Sequence, residues 1–140
     1  MPAEFIIDVE HRVIFSIGTG LFTSTDFKEH MERLRRASDF NPDFNQIVDC
    51  RGITCMDLNS EQVRDLAGQS IFSNRSRRAF VVSSDLQFGL SRMFSAYREA
   101  VTGQEVRVFR TMPEALAWLD LPLDVVGFSA EKDRSTPQNA

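Results

Sequence analysis

The chain has 140 residues, with 16 Lys and Arg against 20 Asp and Glu and a net charge of −4 at pH 7. That length bounds it to one domain with a sizeable core, and the acidic balance argues against a broad nucleic-acid-binding surface, which needs a basic excess. The amino-terminal residues lack the basic start and apolar run of a secretory signal, and no apolar stretch approaches the ~18 residues of a membrane span, so a cytoplasmic protein without membrane insertion is expected.

Residues 4–9 and 12–17 are β-rich runs separated by Glu10 and His11, and they read as an antiparallel hairpin at a sheet edge. Gly18 and Gly20 then break the strand pattern. Thr23 and Asp26 stand at capping-box spacing and open a helix with Phe27, Met31, Leu34 and Ser38 on one face, ended by Asn41-Pro42-Asp43. Residues 44–50 follow as a strand whose continuous apolar centre suits burial on both faces. A tight turn and a short apolar segment then make a loop over residues 51–60, at the strand's carboxyl end, where open α/β sheets place their working surface.

Asn59 and Gln62 cap a second helix over 60–72, with Val63, Leu66, Ala67, Ser70 and Ile71 as its stripe. Residues 79–82 form a third core strand. Ser84 and Gln87 open a helix carrying Leu86, Leu90, Met93, Tyr97 and Val101 at periodic positions, stopped by Gly103. Residues 106–109 are the last strand, and Thr111-Met112-Pro113-Glu114 starts a final helix with Ala115, Leu116 and Leu119 on its apolar side. This order implies an α/β fold: a mixed, mostly parallel five-stranded sheet with an N-terminal antiparallel hairpin and about four helices. The domain is placed at residues 1–120. Residues 121–140 are an extension in which 121–128 pack on the domain or meet a partner, and the polar last stretch of about ten residues is expected to be disordered.

Ile47-Val48-Asp49 ends an apolar strand in Asp, and Gly52-Ile53-Thr54, Cys55-Met56 and Asp57 follow. This segment resembles the strand and helix start of STAS domains, the fold of bacterial anti-sigma-factor antagonists. The strands at Phe80 to Val82 and Val106 to Phe109, and the helix containing Pro113-Glu114-Ala115-Leu116-Ala117-Trp118, resemble the SpoIIAA-like branch of that group. The resemblance spans roughly residues 4–120 and rests on the order of elements more than on any one motif. It implies a non-enzymatic regulatory module. In the antagonists the Ser after the Asp is phosphorylated by a partner kinase, adding about −1.5 to −2 charges at a helix start. The matching position here is Leu58, followed by Asn59 and Ser60, so the usual phosphoswitch is expected to be absent, with Ser60 as the remaining candidate phosphosite. The fold also resembles the CRAL-TRIO lipid-transfer proteins in outline.

The residues themselves offer few alternatives. Asp49 and Asp57 read either as a carboxylate pair for acid–base work or as a turn cap and a helix-start acid, the second being the ordinary use. Cys50 and Cys55, the only cysteines, lack metal-ligand spacing and read as reduced thiols; the competing reading is a nucleophile activated by Arg51. Arg75, Arg77 and Arg78 read as a solvated loop or an anion site. Twelve Phe against one Trp and one Tyr supply apolar area without polar handles. Phe88 and Phe94, off the main stripe of their helix, suggest a second apolar face for a ligand groove or another subunit. The reading is a module, expected to be a homodimer, that recognises a partner protein or a small apolar, lipid-like ligand. Its surface is Arg51, Asp57, Leu58, Asn59, Ser60, Phe88 and Phe94, with no catalytic residue, metal or cofactor. The alternatives are an antagonist with a relocated phosphoserine, or a small enzyme using Asp49, Asp57 or a cysteine.

Overall fold

In the computed structural model, which describes residues 3–125, five strands lie side by side in chain order. β1 (Ala3–Asp8) and β2 (Val13–Thr23) form an antiparallel hairpin. β3 (Asn45–Asp57), β4 (Arg78–Val81) and β5 (Val106–Phe109) then add in parallel. Parallel neighbours need crossovers, supplied by α1 (Ser24–Arg36), α2 (Ser60–Ala67) and α3 (Asp85–Thr102), with α4 (Met112–Trp118) following β5. The helix starts are set locally. Thr23 and Asp26 form a reciprocal capping box, as do Asn59 and Gln62, while Ser84 and Thr111 accept from the backbone N–H three residues on.

Strand alternation divides the core. Val13, Phe15, Ile47, Ala79 and Val81 face α4, where Met112, Ala115, Leu116, Leu119 and Val125 close over them. The other face presents Val48, Cys50, Phe80, Val82 and Val106 to Val63 and Leu66 of α2 and Phe94 of α3. Leu121 and Val125 pack on the domain with α4; residues 126–128 and the stretch expected to be disordered lie outside the described residues. No helix among the described residues is long and apolar enough to cross a membrane.

Five expectations are corrected. β2 does not stop at Gly18 but continues to Thr23, and β3 runs through the presumed turn at Arg51 to Asp57. The two pair through Thr19–Gly52, Gly20–Ile53, Leu21–Cys55, Phe22–Met56 and Thr23–Asp57, with irregularities between Ile17 and Thr19 and between Gly20 and Leu21. Bulges absorb the glycines that read as breaks. α2 ends at Ala67 with Gly68 as its cap, so residues 69–72 are not helical. On α3 the buried face is Gln87, Ser91, Phe94, Ser95 and Arg98, while Leu86 and Val101 are exposed. Three of those polar groups find partners across the fold: Gln87 donates to the Ile53 carbonyl, Ser95 to that of Val106, and Arg98 to that of Ala67 and to Gln104. Finally, Arg78 is no part of a solvated loop: it starts β4 with its side chain in the core.

Gly20 holds φ +65° at the second irregularity, with open space where a Cβ would project. Gly20→Ala is therefore expected to cost about 1 kcal/mol through backbone strain alone. Urea denaturation checks it: the midpoint falls while the slope is unchanged, and an unaltered midpoint contradicts the assignment.

Candidate functional site

β1 pairs with β2 only as far as Gly18, and β4 with β3 only as far as Asp49. Beyond those points β2 and β3 continue as a two-stranded parallel ribbon. Its residues split by side: Leu21, Thr54 and Cys55 face solvent, whereas Phe22, Ile53 and Met56 turn inward. The inward side roofs a cavity of about 60 Å³. Phe27 and Met31 of α1, Val63 and Leu66 of α2, and Leu90 and Phe94 of α3 complete its sides, and Val48, Cys50 and Phe80 of the sheet make its floor. Gly18 also lines it, because a Cβ there would stand 2.8 Å from the Ile53 Cδ1. The polar side chains in the wall are those of Ser16, His30 and Ser91, and among the described residues no charged side chain lines it.

Behind this wall runs a chain of buried polar groups. Arg78 is 1 % exposed, and no carboxylate pairs with it among the described residues. Its charge is held instead by the rings of Phe72, Phe94 and Phe80, at 4.9, 5.2 and 5.9 Å from the guanidinium carbon. Its Nε donates to Gln46 Oε1 at 2.9 Å. Burial, with a smaller contribution from Arg98, pulls its pKa down to about 9, so the guanidinium remains charged at neutral pH. Gln46 Nε2 donates to Ser16 Oγ at 2.9 Å, and Ser16 Oγ lies 2.7 Å from His30 Nε2.

The orientation of Gln46 follows from Arg78. A guanidinium can only donate, so the carboxamide oxygen of Gln46 must face it and the amide NH₂ must face Ser16. Ser16 accepts that bond, and among the described residues the acceptor within reach of its own proton is His30 Nε2, which favours the His30 tautomer with its proton on Nδ1. Nδ1 is buried without a partner. Desolvation, with a contribution from Arg33, pulls the imidazole pKa from 6.5 to about 4, so the ring is neutral at physiological pH.

The residues nominated from sequence separate in space. Leu58 is half-buried, packs on the core beside α2 and lines the cavity, as does Phe94. Phe88 is not among the lining residues; its ring lies against the guanidinium groups of Arg110 and Arg92. Arg51 pairs with the buried carboxylate of Asp49, Nε to Oδ1 at 3.0 Å and Nη2 to Oδ2 at 3.1 Å. Asp57 is exposed at the end of β3. It stands eight residues beyond Asp49 on one strand, roughly 25 Å at ~3.3 Å per residue, which rules out a carboxylate pair. Asn59 spends its side chain on the α2 cap, and Ser60 is exposed as the first residue of that helix. Cys50 lines the cavity with its thiol pKa pushed up to about 12 by burial and by Asp49, the reverse of an activated nucleophile, while Cys55 is exposed. Of the arginine cluster, Arg75 pairs with Asp43, and Arg77 pairs with Glu105 and covers the Trp118 ring.

Ser16, Gln46, Arg78 and His30 were not singled out from the sequence as a group. A signal existed for His30, which is three residues after Phe27 and four before Leu34 and so on the apolar stripe of α1. The other three carry no such signal: a polar residue beside apolar ones on a strand reads as facing solvent, whereas Ser16, Gln46 and Arg78 are buried.

No family model matches the chain, and no curated protein matches it in sequence. Among solved structures it is similar to an uncharacterised protein of the DUF3478 family with a SpoIIAA-like fold from Shewanella loihica PV-4. The identity is 18 %, the TM-score 0.55, and the match covers 84 % of this chain and 93 % of that one. The chain has a SpoIIAA-like fold.

The buried neutral imidazole links stability to pH. Below pH 6.5 the unfolded imidazole takes up a proton that the folded one resists until about pH 4. This contribution is intact above 6.5 and is lost as pH falls through that window, by about 3 kcal/mol in all. His30→Phe should remove that part of the acid slope. Denaturation series from pH 7 to 4 in which both proteins lose stability in parallel would contradict the assignment.

Proposed function

We propose that this SpoIIAA-like module is a non-enzymatic binder of a small apolar ligand, held in the cavity under the β2–β3 ribbon. The observation that carries this reading is the cavity itself: about 60 Å³ with almost entirely apolar walls, set against the core cluster between the sheet and α1, α2 and α3. By the space a water needs, that is room for roughly four or five heavy atoms. A lipid tail would require the ribbon or α1 to move, so the ligand is small. Leu58 supports the same reading. Where the related antagonists present a hydroxyl, this chain presents a butyl group whose side chain lines the cavity.

Chemistry at the site favours binding over catalysis. Ser16 and His30 stand at the distance of a nucleophile and its base. Yet Ser16 already accepts from Gln46, and no carboxylate braces the far nitrogen of His30 among its described partners. Arg33 and burial make the imidazole a weak base.

Titration of the full chain with 2-methyl-1-butene, followed by amide chemical shifts, tests the proposal. Five apolar heavy atoms at about 1 kcal/mol each give a dissociation constant of roughly 0.2 mM. The shifts should concentrate at residues 16–31, 48–58 and 90–94. Leu58→Asp places a carboxylate at the wall and should weaken binding by at least about tenfold, the effect of 1.4 kcal/mol. Binding that survives Leu58→Asp unchanged, or shifts spread over the outer surface, would refute the cavity as the site.

A further inference from the structure

We infer that the open edge of β5 takes an acidic, extended peptide segment as a sixth strand of the sheet. The inference is independent of the cavity. β5 pairs with β4 along one edge, and among the described residues no strand pairs with the other. The carbonyls of Glu105 and Phe109 accept from the N–H groups of Arg78 and Val82, at 3.0 and 2.9 Å. Backbone groups alternate sides along a parallel strand, so Val106, Val108 and Arg110 direct theirs away from β4. The Val106 carbonyl accepts from the Ser95 hydroxyl. The N–H and C=O of Val108 have no protein partner among the described residues, and an added strand would satisfy both.

The side chains around this edge specify the charge of the partner. Successive residues of a strand point to opposite faces, which sends Arg107 toward α4 and Arg110 toward α3. On the α4 face Arg107 and Arg77 lie against Trp118, their guanidinium carbons 5.5 and 4.2 Å from the ring centroid. On the α3 face Arg110 and Arg92 lie against Phe88 in the same way, at 4.5 and 5.6 Å. Each ring gathers two guanidinium groups beside the edge. Glu105 pairs with Arg77 and Asp85 with Arg110. Arg92 and Arg107 are exposed, with no carboxylate partner among the described residues. In a chain of net charge −4 this is a local basic excess.

That excess chooses among occupants. Two copies joined through β5 would bring like charges together, and a basic strand would do the same. A strand carrying carboxylates on both faces meets a guanidinium on each, with the fork geometry that suits it.

The test titrates the full chain with three end-capped synthetic peptides, followed by amide chemical shifts. Thr-Glu-Glu-Val-Glu-Glu-Thr offers both strand and charge. The same sequence N-methylated at every backbone nitrogen keeps the charge and cannot donate along either edge. Thr-Lys-Lys-Val-Lys-Lys-Thr keeps the strand and reverses the charge. The acidic peptide should shift the amides of residues 105–111, and N-methylation should weaken it about tenfold, the worth of two hydrogen bonds. Arg92→Glu combined with Arg107→Glu, its fold checked by circular dichroism, should weaken the acidic peptide about tenfold and admit the lysine peptide. Equal binding of the methylated peptide would leave a charged patch in place of a strand site. Equal binding of the lysine peptide to the parent chain would remove the charge selection, and unmoved β5 amides would remove the site. Each of these overturns the inference. So does a β5 amide pattern that moves with protein concentration before any peptide is added, which assigns the edge to a second copy.

Discussion

The hydrogen bond from Arg78 to Gln46 is the constraint on which the interior of this protein turns. A guanidinium in a dry core, without a carboxylate, is a costly group to bury. Here it is tolerated because three phenyl rings lie against it and one carboxamide oxygen accepts from it. Since Arg78 has no capacity to accept, its hydrogen bond fixes the orientation of the Gln46 amide, which in turn donates to Ser16. Two of the three rings, Phe80 and Phe94, are also cavity wall. Charge, ring packing and proton direction are thus set by the same side chain, and the parallel pairing of Gln46 opposite Arg78 on β3 and β4 holds the two in register.

The cavity has a separate origin, in the mismatch of strand lengths. β2 and β3 outrun their neighbours, so their last turns of pleat have no sheet on either flank. They must find cover from helices instead. α1 leaves β2 directly at Thr23, and α2 follows β3 within three residues, so both helices start at the ribbon and diverge from it. Gln62 of α2 reaches back to Ser24 of α1 at 3.5 Å, which keeps the two starts together. α3 cannot fill the remaining space because its buried face is largely polar and committed elsewhere, with Gln87 held by the ribbon carbonyl of Ile53 and Arg98 by α2. The void is what these three attachments leave between them.

How much of this could be read from the chain follows from the range of each signal. Helix starts are local, and Thr23 with Asp26, Asn59 with Gln62, Ser84 and Thr111 all marked theirs within four residues. The order of elements followed, and with it the mixed sheet and the resemblance to the SpoIIAA-like fold. Strand ends depend on a partner strand far away in sequence: nothing near Gly18 or Gly52 announces that the two strands run on past these residues, with irregular pairing at Gly18 and after Gly20, rather than turn. On α3 two helical phases competed, one apolar through Leu86 and Val101, one polar through Gln87, Ser91 and Arg98. The polar phase is buried because carbonyls at Ile53, Ala67 and Val106 await it, and those are visible only once the chain is folded. Arg78 misled for the same reason, since a third arginine after Arg75 and Arg77 looks like more of the same solvated loop.

The account rests on the proton sitting at Nδ1 of His30. The ¹⁵N spectrum of the imidazole in the uniformly labelled protein at pH 7 reads that position directly. The account predicts a protonated, pyrrole-like Nδ1 and an unprotonated, pyridine-like Nε2, with the pair unchanged on acidification until the pH nears 4. A proton found on Nε2, or a ring that titrates near 6.5, would contradict it.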